Sequence, residues 1–266
     1  MGLEPGPGNR PPVREPQRIR PVGHPQEPGS APPSPRRLVP WVRAGNGCPP
    51  LAGKKQEEQE EGGGYAWSMT ASPPGPEAAR AFLAWIAALA ARDLDRLPQL
   101  AEALQAAGAP AAWLREAILL CCPYLGFPLA LAARERVAPF LDEQDFSEPE
   151  TLPPQRAFEE VYGAQSETLL DKIRDWDPKL SEWTLSFAYG SVLGRCGLPP
   201  KLRELAGVAI LSILDLETQM FSHARGAIRC GATKSEVLEL VQELQEDSWI
   251  RWGDRHRAFL EKNLGE

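Results

Sequence analysis

The sequence predicts an all-α protein from about residue 77 to its end, and three observations support this prediction. Apolar residues recur at the 3.6-residue spacing of helices, as Ala78, Phe82, Trp85, Ile86 and Leu89 do. No segment alternates apolar and polar residues as a half-buried strand does. Proline and glycine stand where helices begin and end.

Residues 1–76 form a separate segment that is rich in proline and glycine. They hold 17 of the 28 prolines and 12 of the 23 glycines. Such a composition buries too little apolar surface to offset the entropy of ordering the chain, so we predict a disordered extension. Alternatively, translation starts at Met69, because the Glu- and Gly-rich stretch before it resembles a translated purine-rich ribosome-binding sequence.

A first block of helices is predicted for residues 77–146. The first helix begins near Glu77, and the second covers about 93–107. The third begins after Pro110 and ends at about 122, and the fourth covers about 129–141. Pro123 and Pro128 are expected to interrupt the pattern between the last two helices. Residues 142–154 are acidic and rich in proline, which is typical of a linker.

The second block, residues 155–246, is predicted to contain helices at 156–174, 179–194, 200–214, 217–230 and 234–246. A C-terminal helix near 254–263 follows within residues 247–266. Pro200 suits the first turn of a helix, and Gly231 stands where a helix end needs a left-handed residue. Thr233 and Glu236 have the spacing of a capping box.

The first block resembles a degenerate copy of the second. Residues 108–119 align with residues 231–242, and this alignment places Glu116 opposite Glu239. We therefore predict a degenerate tandem repeat of helical units. The alternative is that two helical hairpins rich in alanine and leucine align by chance.

Charge and cysteine content exclude several functional classes. The net charge is −7 although residues 1–55 carry nine Lys or Arg against three Glu, so the helical part is acidic and we expect no nucleic-acid partner. No apolar run reaches the ~18 residues of a membrane helix, so we expect no membrane partner. The five cysteines are odd in number and none are spaced CxxC, so neither a disulfide framework nor a metal site is expected. A cytoplasmic protein is the expectation.

Glu204 and His223 are the residues that we expect to carry chemistry. His223 is the polar member of an apolar stripe with Met220, Ala224 and Ala227, and Glu204 lies beside the apolar stripe of the preceding helix. Two antiparallel helices joined by a short turn would bring the two side chains together. A carboxylate fixes the tautomer of an imidazole, as general acid–base catalysis requires. The alternative is a core histidine that a structural glutamate satisfies.

The second block resembles the carboxymuconolactone decarboxylase family in the order and spacing of its motifs. The matching elements are Tyr189-Gly190, Arg195-Cys196-Gly197-Leu198, Arg203-Glu204-Leu205, Gln219 with His223, Ala227, and Gly231-Ala232-Thr233 with Glu236. FEEVYG at 158–163 is similar to the first helix of the family pattern, and PYLGFP at 123–128 is similar to its closing Tyr-x-Gly-Phe-Pro. The resemblance implies an alkylhydroperoxidase D-like helical fold.

The decarboxylase branch of that family removes CO₂ from 4-carboxymuconolactone without a metal or an organic cofactor. By this resemblance His223, held by Glu204, is the candidate proton donor, and no cofactor is expected. Arg195, Arg203 and Arg225 are the nearby candidates for binding a substrate carboxylate, or else they are ion-pair partners of the protein itself. The partner implied is a small-molecule substrate.

The peroxidase branch of the family uses a CxxC ahead of the family histidine, and its two cysteines fall on Leu216 and Gln219. Because the thiols are absent, a peroxidase is the least expected function. In the first block, Leu100 or a neighbour falls where the family histidine would be. Relatives form trimers or hexamers, which implies a homo-oligomer.

Three functions therefore stay open, and whether the chain is an enzyme stays open with them. The first is decarboxylation or proton transfer on a small carboxylated, lactone-like molecule. The second is a non-catalytic helical scaffold or small-ligand-binding homologue, and the third is a peroxidase. A hydrogen-bonded pair of Glu204 and His223 that lines a pocket favours chemistry, whereas a dry, sealed pair favours a scaffold.

Overall fold

The computed structural model describes residues 75–141 and 148–265, and its regular structure there is helical. The helices are α1 Pro76–Ala90, α2 Leu97–Ala106, α3 Ala112–Leu125, α4 Phe127–Arg136, α5 Pro154–Tyr162, α6 Ser166–Trp176, α7 Pro178–Trp183, α8 Pro200–Ile213, α9 Glu217–Arg229, α10 Lys234–Glu246 and α11 Gly253–Asn263. A π-helix, Thr184–Leu193, continues α7. The predicted all-α class is confirmed.

Two of the sequence predictions fall at least partly outside these ranges. The predicted disordered extension, residues 1–76, is described only from Gly75 onwards. Residues 142–147 of the predicted linker are outside the described residues as well.

Helix α8 is the centre of the fold. Eleven of its 14 residues are buried, and it packs against α1, α3, α9 and α10. Apolar side chains from both predicted blocks belong to one hydrophobic core. The first block therefore packs directly on the helix that carries Glu204.

Positive φ angles recur at the same spacing in the two predicted blocks. Arg92 follows α1 with φ 63°, and Asp215 follows α8 with φ 59°. Gly108 and Gly231 follow α2 and α9 with φ 75° and 94°. Each pair has the same separation in sequence, so the two halves place left-handed residues at equivalent helix ends. The degenerate tandem repeat stays a prediction, which these equivalent positions support.

The local signals for α8 to α10 are also confirmed. Helix α10 begins at Lys234 behind a capping box, in which Thr233 Oγ1 accepts from the Glu236 amide at 3.1 Å and the Glu236 carboxylate accepts from the Thr233 amide at 2.7 Å. Gly231 has the predicted left-handed conformation.

The expected break at Pro123 is wrong, because α3 runs through this residue to Leu125. A proline near the end of a helix removes one amide donor but leaves the remaining turn intact. The helix ends instead at Gly126, whose φ of 81° an L side chain rarely adopts.

The single helices predicted at 156–174 and 179–194 are also wrong in detail. The first is divided at Gly163, which has φ 59° and ends α5. A Cβ at this glycine would lie 3.1 Å from Arg229 Nε, so the close approach of that side chain favours glycine. The second predicted helix becomes α7 followed by the π-helix, which has no signature in the 3.6-residue pattern.

Candidate active site

Glu204 and His223 meet where the antiparallel helices α8 and α9 pack together. The Glu204 Oε2 atom lies 2.9 Å from His223 Nδ1. Glu204 is 3% exposed and His223 is 5% exposed. Because a carboxylate only accepts, Nδ1 carries the hydrogen, and in the neutral imidazole Nε2 is left with a free lone pair. The predicted contact and a fixed tautomer are therefore present.

Tyr124 occupies the other side of the imidazole, and it is not among the site residues predicted from the sequence. Its hydroxyl lies 3.3 Å from His223 Nε2 and donates to that lone pair. The two rings are also in edge contact, with centroids 5.6 Å apart. Burial raises the pKa of Tyr124 well above 10, and the charge of Glu204 raises it further, so the hydroxyl keeps its proton. Tyr124, His223 and Glu204 form a continuous chain.

Tyr124 comes from the PYLGFP motif in the last turn of α3. The motif was predicted only as the closing element of a repeat unit, yet it lies against the histidine of the other repeat, 99 residues away. The motif therefore indicates that Tyr124 has a role in the fold, but the neighbouring sequence does not indicate which histidine its side chain contacts.

Two glycines make room for this chain of contacts. A Cβ on Gly226 of α9 would lie 2.4 Å from Glu204 Oε2, which is far inside van der Waals contact. A Cβ on Gly207 of α8 would lie 3.0 Å from His223 Nδ1 and 3.2 Å from the Tyr124 hydroxyl. Glycine lowers the intrinsic stability of a helix interior, so both are explained by the close approach of the site residues.

Two further tyrosines lie within the electrostatic influence of the Glu204 carboxylate. Tyr162 of α5 and Tyr189 of the π-helix pack on Phe158, with ring centroids at 4.4 and 4.7 Å. Burial raises the pKa of both hydroxyls, and the negative charge of Glu204 adds to each shift. Both hydroxyls therefore keep their protons near the negative charge of Glu204.

Arg195, a predicted candidate for substrate binding, is engaged by carboxylates of the chain itself. Its Nε and Nη2 atoms donate to Glu116 at 2.7 to 3.2 Å, and Nη2 also donates to Glu148 at 2.8 Å. The arginine is 8% exposed. Hydrogen bonds with Glu116 and Glu148 raise the pKa of Arg195. Hydrogen bonds from Arg115 and Arg195 hold the pKa of Glu148 at about 2. The Arg195 guanidinium thus links α3 to the segment before α8 through ion pairs.

The other two predicted arginines are placed differently. Arg203 is buried and donates to the backbone carbonyls of Arg195 and Leu198. Burial lowers its pKa, while the nearby charge of Glu204 raises it. Arg225 follows His223 by two residues, about 200° around the helix, and it donates to the Gln165 side chain at 3.4 Å. Substrate binding by any of the three stays a prediction that this geometry does not favour.

Three of the thiols in the described part of the chain have properties that disfavour a peroxidase. Cys121 and Cys122 of α3 are a buried and a half-buried residue, and burial raises the pKa of both, as it does for Cys196. A raised pKa leaves little thiolate, which is the reactive form. Within residues 75–141 and 148–265 no group of three or more His, Cys, Asp or Glu side chains is arranged to hold a metal ion.

Across the same two ranges, no helix combines the length and the apolar character that crossing a bilayer requires.

The chain is similar to known proteins in the part that contains Glu204 and His223. Residues 178–248 match the model of the carboxymuconolactone decarboxylase family. A 4-carboxymuconolactone decarboxylase of Acinetobacter baylyi is 33% identical over 72 residues, 27% of this chain and 54% of that protein. The chain thus spans about half the length of this relative.

A second relative extends the similarity to a larger share of the chain. Peroxisomal protein 2 of Schizosaccharomyces pombe is 29% identical over 152 residues, which are 52% of this chain and 71% of that protein. Together with the family match, these similarities support a relation of the chain to carboxymuconolactone decarboxylase-like proteins, which the match places in residues 178–248.

Proposed function

We propose that the chain is a cofactor-independent catalyst of decarboxylation or proton transfer on a small carboxylated, lactone-like molecule. The observation that carries the proposal is the chain of contacts from Glu204 through His223 to Tyr124, in which the imidazole is held in one tautomer from both sides. General acid–base catalysis needs a histidine in a defined tautomer and orientation. The similarity to a protein named 4-carboxymuconolactone decarboxylase supports the choice of reaction.

In the proposed reaction, the bond between the carboxylate and the adjacent carbon breaks and releases CO₂. The electron pair of that bond is delocalised into the conjugated carbonyl as an enolate. Protonated His223 then gives its Nε2 proton to the carbon, and the neutral imidazole regains a proton from solvent. Glu204 offsets the charge of the imidazolium, and the Tyr124 hydroxyl beside Nε2 donates a hydrogen bond to the enolate oxygen.

The test is the release of CO₂ from 4-carboxymuconolactone by the full chain. His223→Gln should fold normally, because glutamine keeps polar volume and hydrogen-bonding capacity, and turnover should drop by roughly 10²–10⁴-fold. Glu204→Gln should lower turnover less, because an amide oxygen still accepts from Nδ1 although it carries no charge.

His256 provides a matched control. It is fully buried in α11 and its Nε2 lies 3.0 Å from Asp215 Oδ1, so it is also a histidine paired with a carboxylate in the core. His256→Gln should lower stability but keep turnover at a permissive temperature. A stable and fully active His223→Gln protein, or an equal loss in both variants, would contradict the proposal.

A second candidate function is a non-catalytic scaffold or small-ligand-binding protein. The low exposure of Glu204 and His223 favours it, because a sealed pair needs no substrate. In that case wild-type protein shows no turnover, and His223→Gln lowers the free energy of unfolding by about 1–3 kcal/mol through an imperfectly satisfied buried group. Peroxidase activity remains a third proposal without a supporting geometry.

We also propose a homo-oligomer, as expected from the family resemblance. Large apolar side chains support this proposal, since Phe127, Leu131, Trp176 and Trp183 are 58 to 67% exposed. The cytoplasmic location stays a prediction.

A further inference from the structure

An open pocket of about 410 Å³ lies beside Tyr124, outside the Glu204–His223 pair. It is lined by Arg92, Tyr124, Leu125, Pro128, Leu129 and Leu214. Its volume is within the range of pockets that take small molecules. The walls are apolar except for one guanidinium and one phenol. Tyr124 belongs both to this pocket and to the chain of contacts that ends at Glu204.

Arg92 stands at an unusual backbone position. Its φ of 63° is in the left-handed region, which a side chain with a Cβ disfavours and which glycine normally occupies at a helix end. The equivalent residue of the second repeat, Asp215, is also left-handed, but its carboxylate contacts Arg255 and His256. In the second repeat, the residue at the strained position, Asp215, thus has a structural role.

No comparable contact accounts for the side chain of Arg92. It is exposed, and within residues 75–141 and 148–265 it forms no ion pair and no side-chain hydrogen bond. Arginine therefore stands at a strained position without a structural role in the described part of the chain. A residue kept in a disfavoured conformation is a candidate for a role in ligand binding.

We propose that this pocket is the binding site for the substrate carboxylate and that Arg92 is the residue that binds it. The inference rests on the proposed function, because it places the substrate of that reaction. The planar guanidinium suits bidentate hydrogen bonding to a carboxylate. The apolar wall of Leu125, Pro128 and Leu129 packs on the lactone ring, and Tyr124, whose hydroxyl contacts His223, lines the same pocket.

This assignment gives the eroded first repeat a function. The first repeat has no histidine at the position of His223, but it supplies Arg92 from the end of α1 and Tyr124 from the end of α3. The second repeat supplies Glu204, His223 and the pocket residue Leu214. One complete site is thus assembled from two incomplete halves.

The experiment is a binding titration that needs no turnover. The probe is γ-butyrolactone-γ-carboxylate, a stable lactone with one carboxylate, and binding to the full chain is followed by ligand-observed NMR. Arg92→Gln should weaken binding about tenfold or more, as expected for the loss of a charge-assisted hydrogen bond. Arg92→Lys should recover part of the affinity, and γ-butyrolactone without the carboxylate should bind equally weakly to wild type and Arg92→Gln.

Arg251→Gln is the matched control, because Arg251 is an exposed arginine that does not line the pocket. It should leave the affinity unchanged. No binding to wild type, or the same affinity in Arg92→Gln as in wild type, overturns the assignment of the pocket. If the probe binds through Arg92 and wild type still releases no CO₂, the pocket stands and the proposed reaction fails.

Discussion

The substitution Gly226→Ala tests whether the contact between Glu204 and His223 is as close as the structure shows. The new methyl carbon would lie 2.4 Å from Glu204 Oε2, whereas ordinary contact begins near 3.4 Å. The carboxylate must therefore retreat by about 1 Å, which is enough to break its 2.9 Å hydrogen bond with Nδ1.

Two opposing contributions set the expected change in stability. Alanine is favoured over glycine in a helix interior by about 1 kcal/mol. The loss of a hydrogen bond to a charged group costs about 1.5–3 kcal/mol. The free energy of unfolding should thus fall by about 0.5–2 kcal/mol, although the same substitution normally stabilises a helix.

The assay is urea unfolding followed by circular dichroism, combined with a double-mutant cycle. In the background Glu204→Ala the obstructing carboxylate is gone and Val161 Cγ1, at 3.1 Å, is the remaining close atom, so Gly226→Ala should destabilise the protein less than in wild type or stabilise it by up to about 1 kcal/mol. In the wild-type background the downfield NMR signal of the His223 Nδ1 proton should also disappear. Equal destabilisation in both backgrounds would refute the reasoning, because the carboxylate would then not be what the methyl meets.

Three further predictions concern the Tyr124 hydroxyl, the ion pairs of Glu148 and the oligomeric state. Tyr124→Phe keeps the ring contact with His223, so unfolding should change by less than about 1 kcal/mol while turnover falls by about 10²-fold; an unchanged rate would remove Tyr124 from the mechanism. The pKa of Glu148 is about 2, below its ordinary 4.5, so its bonds to Arg115 and Arg195 stabilise the fold fully above pH 4.5 and are lost as the pH falls towards 2. The urea midpoint of wild type should therefore approach that of Glu148→Gln over this interval, and a constant difference would be the contrary result. Light scattering at micromolar concentration should show a homo-oligomer, and a monomer would exclude it.

Residues that start and end helices made the helices around the site predictable from the sequence. Pro200, Gly231 and the Thr233 capping box each act on their own neighbours, and α8 to α10 begin and end within about one residue of the predicted positions. The contact between Glu204 and His223 was predictable from the helical spacing of apolar residues, because the apolar stripes of two adjacent antiparallel helices must meet.

The parts of the site that were missed depend on distant residues or on backbone conformation. Tyr124 reaches His223 across 99 residues, and Arg195 reaches Glu116 across 79. A sequence pattern shows that such residues are present but not which partner each one contacts. The left-handed conformation of Arg92 likewise has no sequence signature, because glycine is the residue that usually adopts a positive φ and arginine does not indicate one.

The central claim is that His223 transfers a proton to carbon, and isotope exchange tests it most directly. In deuterium oxide, wild-type protein should exchange the proton that the decarboxylated lactone gained, because the transfer is reversible at the same imidazole, and NMR follows the loss of that proton signal. Folded His223→Gln should slow the exchange by roughly 10²–10⁴-fold while His256→Gln leaves it unchanged. Exchange at the wild-type rate in His223→Gln would contradict the account.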